Sequence, residues 1–79
     1  MGMEQRLHGM IQGQEGRLLE AEVAGALGRR LRQFGMIAGT EIRYLGRSPL
    51  GSPLLFLVRG TVLALREQDC RLLRVEVEP

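Results

Sequence analysis

The chain has 79 residues, of which 44% are hydrophobic and 25% charged, and its formal net charge is +2. These values fit one small globular domain and exclude a disordered tail, which would hold fewer aliphatic residues, and a strongly basic nucleic-acid-binding segment. All eleven basic residues are arginine, and Cys70 is the single cysteine, so no internal disulfide can form. A reducing compartment therefore fits best.

The N-terminal residues carry no apolar run of the signal-peptide type. Residues 1–6 are polar and predict a flexible N-terminus, and Leu7 and Met10 predict a short helical turn. The longest apolar run, residues 54–58, is too short to cross a bilayer, so we expect a cytoplasmic protein with no direct membrane insertion. Residues 7–79 are expected to form a single domain.

Five segments have the alternation or the aliphatic content of β-strands. They are residues 16–23, 40–47, 54–58, 61–65 and 73–77. In the first segment we expect Leu19, Ala21 and Val23 on the buried face. Residues 67–71 predict one helical turn before the last strand. The pattern indicates a mainly-β fold, with about five antiparallel strands in a bent sheet that closes into a small barrel because a short chain tolerates few open edges.

A helical period separates the first two strands. Apolar side chains recur there at spacings of three and four, at Ala24, Leu27, Leu31 and Phe34. Gly25 and Gly28 each cost roughly 1 kcal/mol relative to alanine inside a helix, so this helix should depend on tertiary packing. Gly35 follows the last apolar position, where a helix needs a residue that tolerates a left-handed conformation.

Glycine and proline mark the predicted connections. Arg59 and Gly60 suit a two-residue hairpin turn, and a proline-rich loop surrounds the apolar Leu50. The residues interpreted as structural turn positions are Gly35, Gly39, Pro49, Gly51, Pro53 and Gly60.

Candidate metal ligands are sparse. His8 and Cys70 are weak candidates, because no His-x-x-His or Cys-x-x-Cys pair supplies the convergent donors of a tight site. We expect Cys70 to be a small buried hydrophobe and His8 a solvated residue. No cofactor is expected to be required, and if Fe²⁺ or another divalent transition metal binds, a weak or intermolecular site is the favoured form.

The sequence supports neither an enzyme nor a nucleic-acid-binding protein. It has no phosphate-binding glycine motif and no hydroxyl or thiol nucleophile close in sequence to a histidine. The densest basic patch is formed by Arg29, Arg30 and Arg32, without the stacking aromatics that nucleic-acid binding requires. An acidic protein surface is the partner that this patch would fit.

Four motifs in order resemble the FeoA family. Residues 30–40 are similar to its signature R-L-x-x-hydrophobic-G-hydrophobic-hydrophobic-x-G, and residues 49–53 to its P-L-G-D-P loop, with Ser52 in place of the acidic residue. Residues 58–66 are similar to its V-x-G-x-x-hydrophobic-A-L-R hairpin, and residues 72–77 to its terminal strand. With the L-x-x-L-x-x-G pattern at the start, the resemblance covers residues 7–78.

This resemblance implies an SH3-like β-barrel that acts in bacterial ferrous iron uptake. Family members are cytosolic accessory proteins of FeoB, a membrane transporter with a cytoplasmic G-domain, and are associated with transition metal ion binding. The same domain also occurs at the C-terminus of metal-dependent transcriptional repressors. The alternative function is therefore a stand-alone metal- or peptide-sensing module that works with such a regulator. Only about fifteen residues precede the first strand, which argues against a complete repressor with its own helix-turn-helix.

We expect the partner to be contacted by apolar anchors beside the basic patch. The residues predicted to bind it are Leu27, Arg30, Leu31, Met36, Ile37, Tyr44 and Leu50. Leu50 has two interpretations, a plug over one end of the barrel or an exposed anchor for the partner. Core and anchor positions cannot be separated by sequence pattern, and a homo-oligomer is also compatible with apolar anchors.

Overall fold

The computed structural model of the chain describes residues 2–20 and 23–78. Six strands are present: β1 (Met3–Arg6), β2 (Glu15–Glu20), β3 (Glu41–Arg47), β4 (Leu54–Val58), β5 (Thr61–Leu65) and β6 (Arg74–Val77). Two α-helices are present, α1 (Gly25–Gln33) and α2 (Glu67–Cys70), and a 3₁₀ turn covers Leu7–Gly9. The prediction of a mainly-β fold, with one helix between strands and a short helix before the last strand, is confirmed.

The six strands form one antiparallel sheet in the order β1-β6-β2-β3-β4-β5. The expected closure into a barrel is not observed among the described residues, because β5 pairs only with β4 and β1 pairs only with β6. The side of β5 away from β4 faces a hollow, and α1 forms the other wall of that hollow. The sheet therefore has two free edges, β1 and β5, and α1 lies beside the β5 edge, where a closed barrel would have another strand.

Strand β1 lies within the segment that the sequence assigns to a flexible N-terminus. Met3 pairs with Val77 and Arg6 with Arg74, so this segment adds a sixth strand to the sheet. Its residues show no apolar alternation and are mostly exposed. Pairing with the buried strand β6, rather than a hydrophobic face of its own, therefore accounts for this strand.

The core lies on one face of the sheet, beneath α1 and α2. Its fully buried members include Leu7, Leu18, Met36, Ile42, Leu54, Phe56, Val58, Cys70, Leu73 and Val75. The prediction of which β2 residues face the core is wrong, since Leu18 is buried and Leu19 only half-buried. The pairing of β2 with β6 shifts register between Leu18 and Glu20, and such a bulge changes which residue faces inward. Val23 is buried as expected, and Ala21 falls outside the described residues.

Helix α1 ends in a Schellman motif built on Gly35. The Met36 amide donates to the Leu31 carbonyl at 2.9 Å and the Gly35 amide to the Arg32 carbonyl at 3.1 Å. Gly35 has φ of +82°, a left-handed value that glycine adopts without a steric penalty. The Thr40 hydroxyl donates to the Gly35 carbonyl at 2.8 Å and fixes the turn that follows. Residues 35–40 therefore form an ordered reversal of the chain.

Gly28 allows a close contact at the start of α1. A Cβ at this position would lie 1.7 Å from the carbonyl oxygen of Val23, just before the helix, so only glycine permits this approach of the entering chain to α1. The residue that weakens α1 as an isolated helix is thus the residue that allows the path of the chain into it.

Candidate partner-binding groove

A groove runs along α1 on the β5 side of the sheet. Its wider part, about 850 Å³, lies between α1, the loop of residues 48–53, the end of β5 and α2. A narrower part of about 180 Å³ lies between α1 and β5. Both parts are lined by Arg30, Ala64 and Leu65, so they adjoin, and we call the two together the α1–β5 groove.

One wall of the α1–β5 groove is the unpaired edge of β5. The hairpin that joins β4 to β5 turns through Arg59 and Gly60, whose φ values of +51° and +80° are typical of a type I′ turn. Val58 and Thr61 flank this two-residue turn and form the first hydrogen-bonded pair. Because the bonding alternates along the strand, the amide and carbonyl groups of Val62 and Ala64 point away from β4, toward the free edge.

The other wall is basic and partly apolar. Helix α1 contains Arg29, Arg30 and Arg32 and no acidic residue. No salt bridge to these three arginines is found among the described residues. Arg30 lines the groove, and Phe34, just after α1, contributes a ring that is 44% exposed. This wall can therefore receive both a negative charge and an apolar side chain.

The seven residues predicted to bind a partner do not all lie on one surface, because some line the groove and others are buried in the core. Leu27, Arg30 and Leu31 line the α1–β5 groove, and their contact with a partner stays a prediction. Met36 and Tyr44 are buried in the core with an exposed fraction of 6% or less and line neither part of the groove, so the described surface does not offer them to a partner. Their helical or alternating spacing reflects packing inside the chain, which is what such spacing most often means.

Leu50 and Ile37 are exposed. Leu50 is 96% exposed, so the interpretation as a plug over one end of the barrel is wrong, and its role as an anchor for a partner stays a prediction. The loop that carries it is held by the Gly51 amide, which donates to the Ser48 carbonyl at 2.8 Å. The same loop lines the groove through Ser52 and Pro53, which places Leu50 near the rim. Ile37 is 47% exposed, in the turn after α1.

The turn positions have the backbone that their assignment requires. Positive φ values occur at Gly35, Gly39, Gly51 and Gly60. The peptide bond between Ser52 and Pro53 is cis, and Pro49 lies in the exposed part of the same loop.

The described residues bring together no cluster of transition-metal donors. Burial, reinforced by the negative charges of Asp69 and Glu67, raises the pKa of the Cys70 thiol to about 12, whereas a metal is bound by the thiolate. His8 is half-buried, not solvated as predicted, and its Nδ1 atom has no hydrogen-bond partner among the described residues. In the part of the chain that the structure describes, no group of three or more His, Cys, Asp or Glu residues converges.

None of the described helices is long and apolar enough to span a bilayer.

A family model described as the FeoA domain matches residues 5–77, nearly the whole chain. The chain belongs to the FeoA family. The resemblance seen in the motifs is thereby confirmed, and the FeoA domain begins within β1 and ends at the end of β6.

Solved structures agree with this assignment. Iron(II) transport protein A of Clostridium thermocellum is 30% identical, with a TM-score of 0.85 over 92% of this chain, and this chain spans 45% of that protein. FeoA of Stenotrophomonas maltophilia, solved in complex with zinc, is 28% identical with a TM-score of 0.73, over 90% of this chain and 88% of that chain. That protein is described as an SH3 domain protein and as a candidate ferrous iron transport activating factor. The prediction of an SH3-like fold is confirmed.

The fold also occurs in a manganese-dependent transcriptional repressor, with a TM-score of 0.78 over 95% of this chain and 41% of that chain, at 15% identity. IdeR of T. acidophilum has a TM-score of 0.79 over 95% of this chain and 34% of that chain, at 15% identity. At this identity the likeness is one of fold alone.

Proposed function

We propose that the chain is a small cytosolic accessory protein of bacterial ferrous iron uptake that contacts the cytoplasmic region of a FeoB-type transporter. It acts by binding and has no catalytic activity of its own. The observation that carries the proposal is a FeoA domain that presents Leu50 at 96% exposure near the rim of a groove whose helix wall is basic. A protruding apolar side chain beside polar and charged groups is the usual composition of a binding hot spot.

The two features would contribute differently to binding. Leu50 gains affinity by leaving water and entering a pocket on the transporter, and truncating such an anchor mainly speeds dissociation. The arginines of α1 attract an acidic surface and orient the encounter, so their effect falls as salt rises. Contact at both places would let the accessory protein bias the transporter toward one conformation and change transport or nucleotide turnover.

Biolayer interferometry against the immobilised cytoplasmic region of a FeoB-type transporter tests this proposal. We expect saturable binding by the wild-type chain and a loss of about tenfold or more for Leu50→Glu. Leu72→Glu is the matched control, because Leu72 is 55% exposed and lies outside the groove, and it should bind like wild type. Absence of wild-type binding contradicts the function, and undiminished binding by folded Leu50→Glu contradicts the surface.

The alternative is a metal- or peptide-sensing module that works with a metal-dependent regulator, and the fold shared with a manganese-dependent transcriptional repressor is its support. Anaerobic calorimetric titration with Fe²⁺ or Mn²⁺ distinguishes the two. Saturable binding at about micromolar affinity would favour the alternative, whereas the observed donor set predicts weak or no binding.

A further inference from the structure

The free edge of β5 differs from an ordinary sheet edge. Its outward backbone groups, on Val62 and Ala64, make no backbone hydrogen bond to any other described residue. The strand contains no charged residue and no proline, and either would discourage pairing with another strand. Val62 is 56% exposed, so an apolar side chain accompanies these unpaired groups. An edge of this kind is a template for one more strand.

We infer that the α1–β5 groove binds an extended, acidic segment of a partner protein, which adds to the sheet as a strand along β5. The inference rests on the proposed function and deepens it, because it names the chemistry of the segment that the partner supplies. A five-residue strand is about 17 Å long, and Val62 and Ala64 together offer two amide donors and two carbonyl acceptors along it. Backbone pairing would supply affinity, and the α1 wall would supply selectivity.

Three arginines surround this edge and select for negative charge. Arg30 is the one charged residue that lines the narrow part of the groove. Arg66 follows β5 and lines the wide part, and Arg59 precedes β5. The Arg59 side chain reaches the end of α1, since a Cβ at Gly35 would lie 3.0 Å from its Cδ atom. A segment laid along β5 would therefore have an arginine at each end and one at its side.

The acidic residues near the groove do not cancel this charge. Glu67 lies in the wide part, where its carboxylate is shared by Arg47 at 3.2 Å and Arg71 at 3.8 Å. Asp69 also lines the wide part, beyond the end of β5. The apolar lining contributed by Phe34 and Val62 fits the alternate side chains of an extended segment. The expected occupant thus alternates acidic and apolar residues.

Fluorescence anisotropy with a labelled peptide of alternating glutamate and valine tests the inference on the full chain. We expect saturable binding, and binding weaker by about tenfold or more when lysine replaces each glutamate. Arg30→Glu should lose about tenfold, while Arg29→Glu, with the same charge change on the same helix outside the groove, should lose much less. Equal binding of the two peptides, or no saturable binding of the glutamate peptide, overturns the inference.

A backbone substitution separates strand addition from general charge attraction. Ala64→Pro removes an outward-pointing amide and should weaken peptide binding by about tenfold, whereas Ala64→Val keeps the amide and should bind like wild type. On binding, amide hydrogen exchange at Val62 and Ala64 should slow by about tenfold or more, with β1 amides unchanged. Unchanged exchange at both β5 amides contradicts strand addition.

These measurements also separate the inference from the proposed function. If Ala64→Pro binds the transporter region as wild type does, the groove inference fails and the function stands. If the acidic peptide binds the groove but wild type does not bind the transporter region, the function fails and the groove stands. Self-association that Ala64→Pro abolishes, measured by sedimentation velocity, would assign the groove to a second copy and overturn the acidic occupant.

Discussion

Both edges of the sheet carry unpaired backbone groups that another strand could bind, and the side chains of β1 and β5 deal with this in opposite ways. Strand β1 has the sequence Met-Glu-Gln-Arg, and its Glu4 is paired across the strands with Arg74 at 2.6 Å. Charged side chains on an edge make pairing with another chain costly. Strand β5 has the sequence Thr-Val-Leu-Ala-Leu and holds no charge within the strand. One edge repels added strands, and the other is open to them.

The difference shows where selectivity at β5 must come from. An unprotected apolar edge normally invites aggregation. Here α1 stands beside the edge and narrows the approach, and Arg30, Arg59 and Arg66 set the charge of what can enter. The edge is therefore restricted by its surroundings, while β1 is protected by its own side chains.

The largest expected effect comes from proline at two neighbouring positions of β5, whose backbone groups point to opposite sides of the strand. Leu63 is buried and its backbone faces Phe56 in a bonded pair, so Leu63→Pro should reduce the free energy of unfolding by about 3 kcal/mol or more. Ala64→Pro removes only an outward amide and should cost about 1 kcal/mol or less. Urea denaturation of both variants measures the difference, and equal losses would show that the edge is not free.

The next effect concerns the helix that narrows the β5 edge. Gly28→Ala would place a methyl group 1.7 Å from the Val23 carbonyl oxygen, so α1 must shift. We expect a loss of about 2 to 3 kcal/mol, against the gain of about 1 kcal/mol that helix propensity alone predicts. Ala26→Gly on the same helix is the control, with an expected loss of about 1 kcal/mol. A stabilised Gly28→Ala variant in thermal denaturation would contradict the close approach of α1.

The β1 side can be probed through a buried thiol. The 3₁₀ turn that follows β1 packs against α2, where Cys70 is fully buried with its pKa raised from 9.0 to about 12. A thiol that stays protonated in the folded state stabilises the fold below pH 9, and this contribution is lost as the pH rises from 9 toward 12.

Cys70→Ala should therefore flatten the decline in stability over that pH range, as followed by denaturation at several pH values. Labelling of wild-type Cys70 by a thiol reagent at pH 8 should be slow and should accelerate on unfolding. Fast labelling of the folded protein would mean that this end of the sheet opens readily.

The smallest effect is expected at the protected edge itself. The Glu4 and Arg74 side chains are 51% and 41% exposed, so Glu4→Gln should change stability by less than about 1 kcal/mol. Glu4→Val should leave stability similar but raise self-association, measured by sedimentation velocity, because the charge that discourages edge pairing is lost. Glu41→Val, an exposed position on the interior strand β3, is the control and should stay monomeric.

The sequence pattern predicted elements best where local signals were complete. Strands β4 and β5 have the predicted bounds, because two apolar runs are separated by a two-residue turn with glycine in second place. The pattern did not predict β1, whose strand conformation depends on pairing with β6 rather than on its own residues. It also misassigned the buried residue of β2, since the bulge after Leu18 gives β2 one extra residue relative to β6 and is seen only in the pairing of the two strands.

The sequence predicted residues on the α1 side of the α1–β5 groove but not its β5 wall. Leu27, Arg30 and Leu50 were recognised as candidates because arginines and an isolated apolar residue in a loop are visible in sequence. Met36 and Tyr44, which are core residues, are predicted together with them because apolar spacing is the same for a core and for an interface. The β5 wall was missed, since whether a strand lies at the edge of a sheet depends on the pairing of residues far apart in sequence.

Arg59 occupies a backbone conformation that most side chains avoid. Its φ of +51° is unfavourable for a residue with a Cβ by about 1 kcal/mol, and Asn or Gly is the residue that such a hairpin turn prefers. Arg59→Asn should therefore raise the melting temperature while removing a cation from the end of the groove. Stability and binding therefore oppose each other at this position, because the substitution that stabilises the turn would weaken binding in the groove.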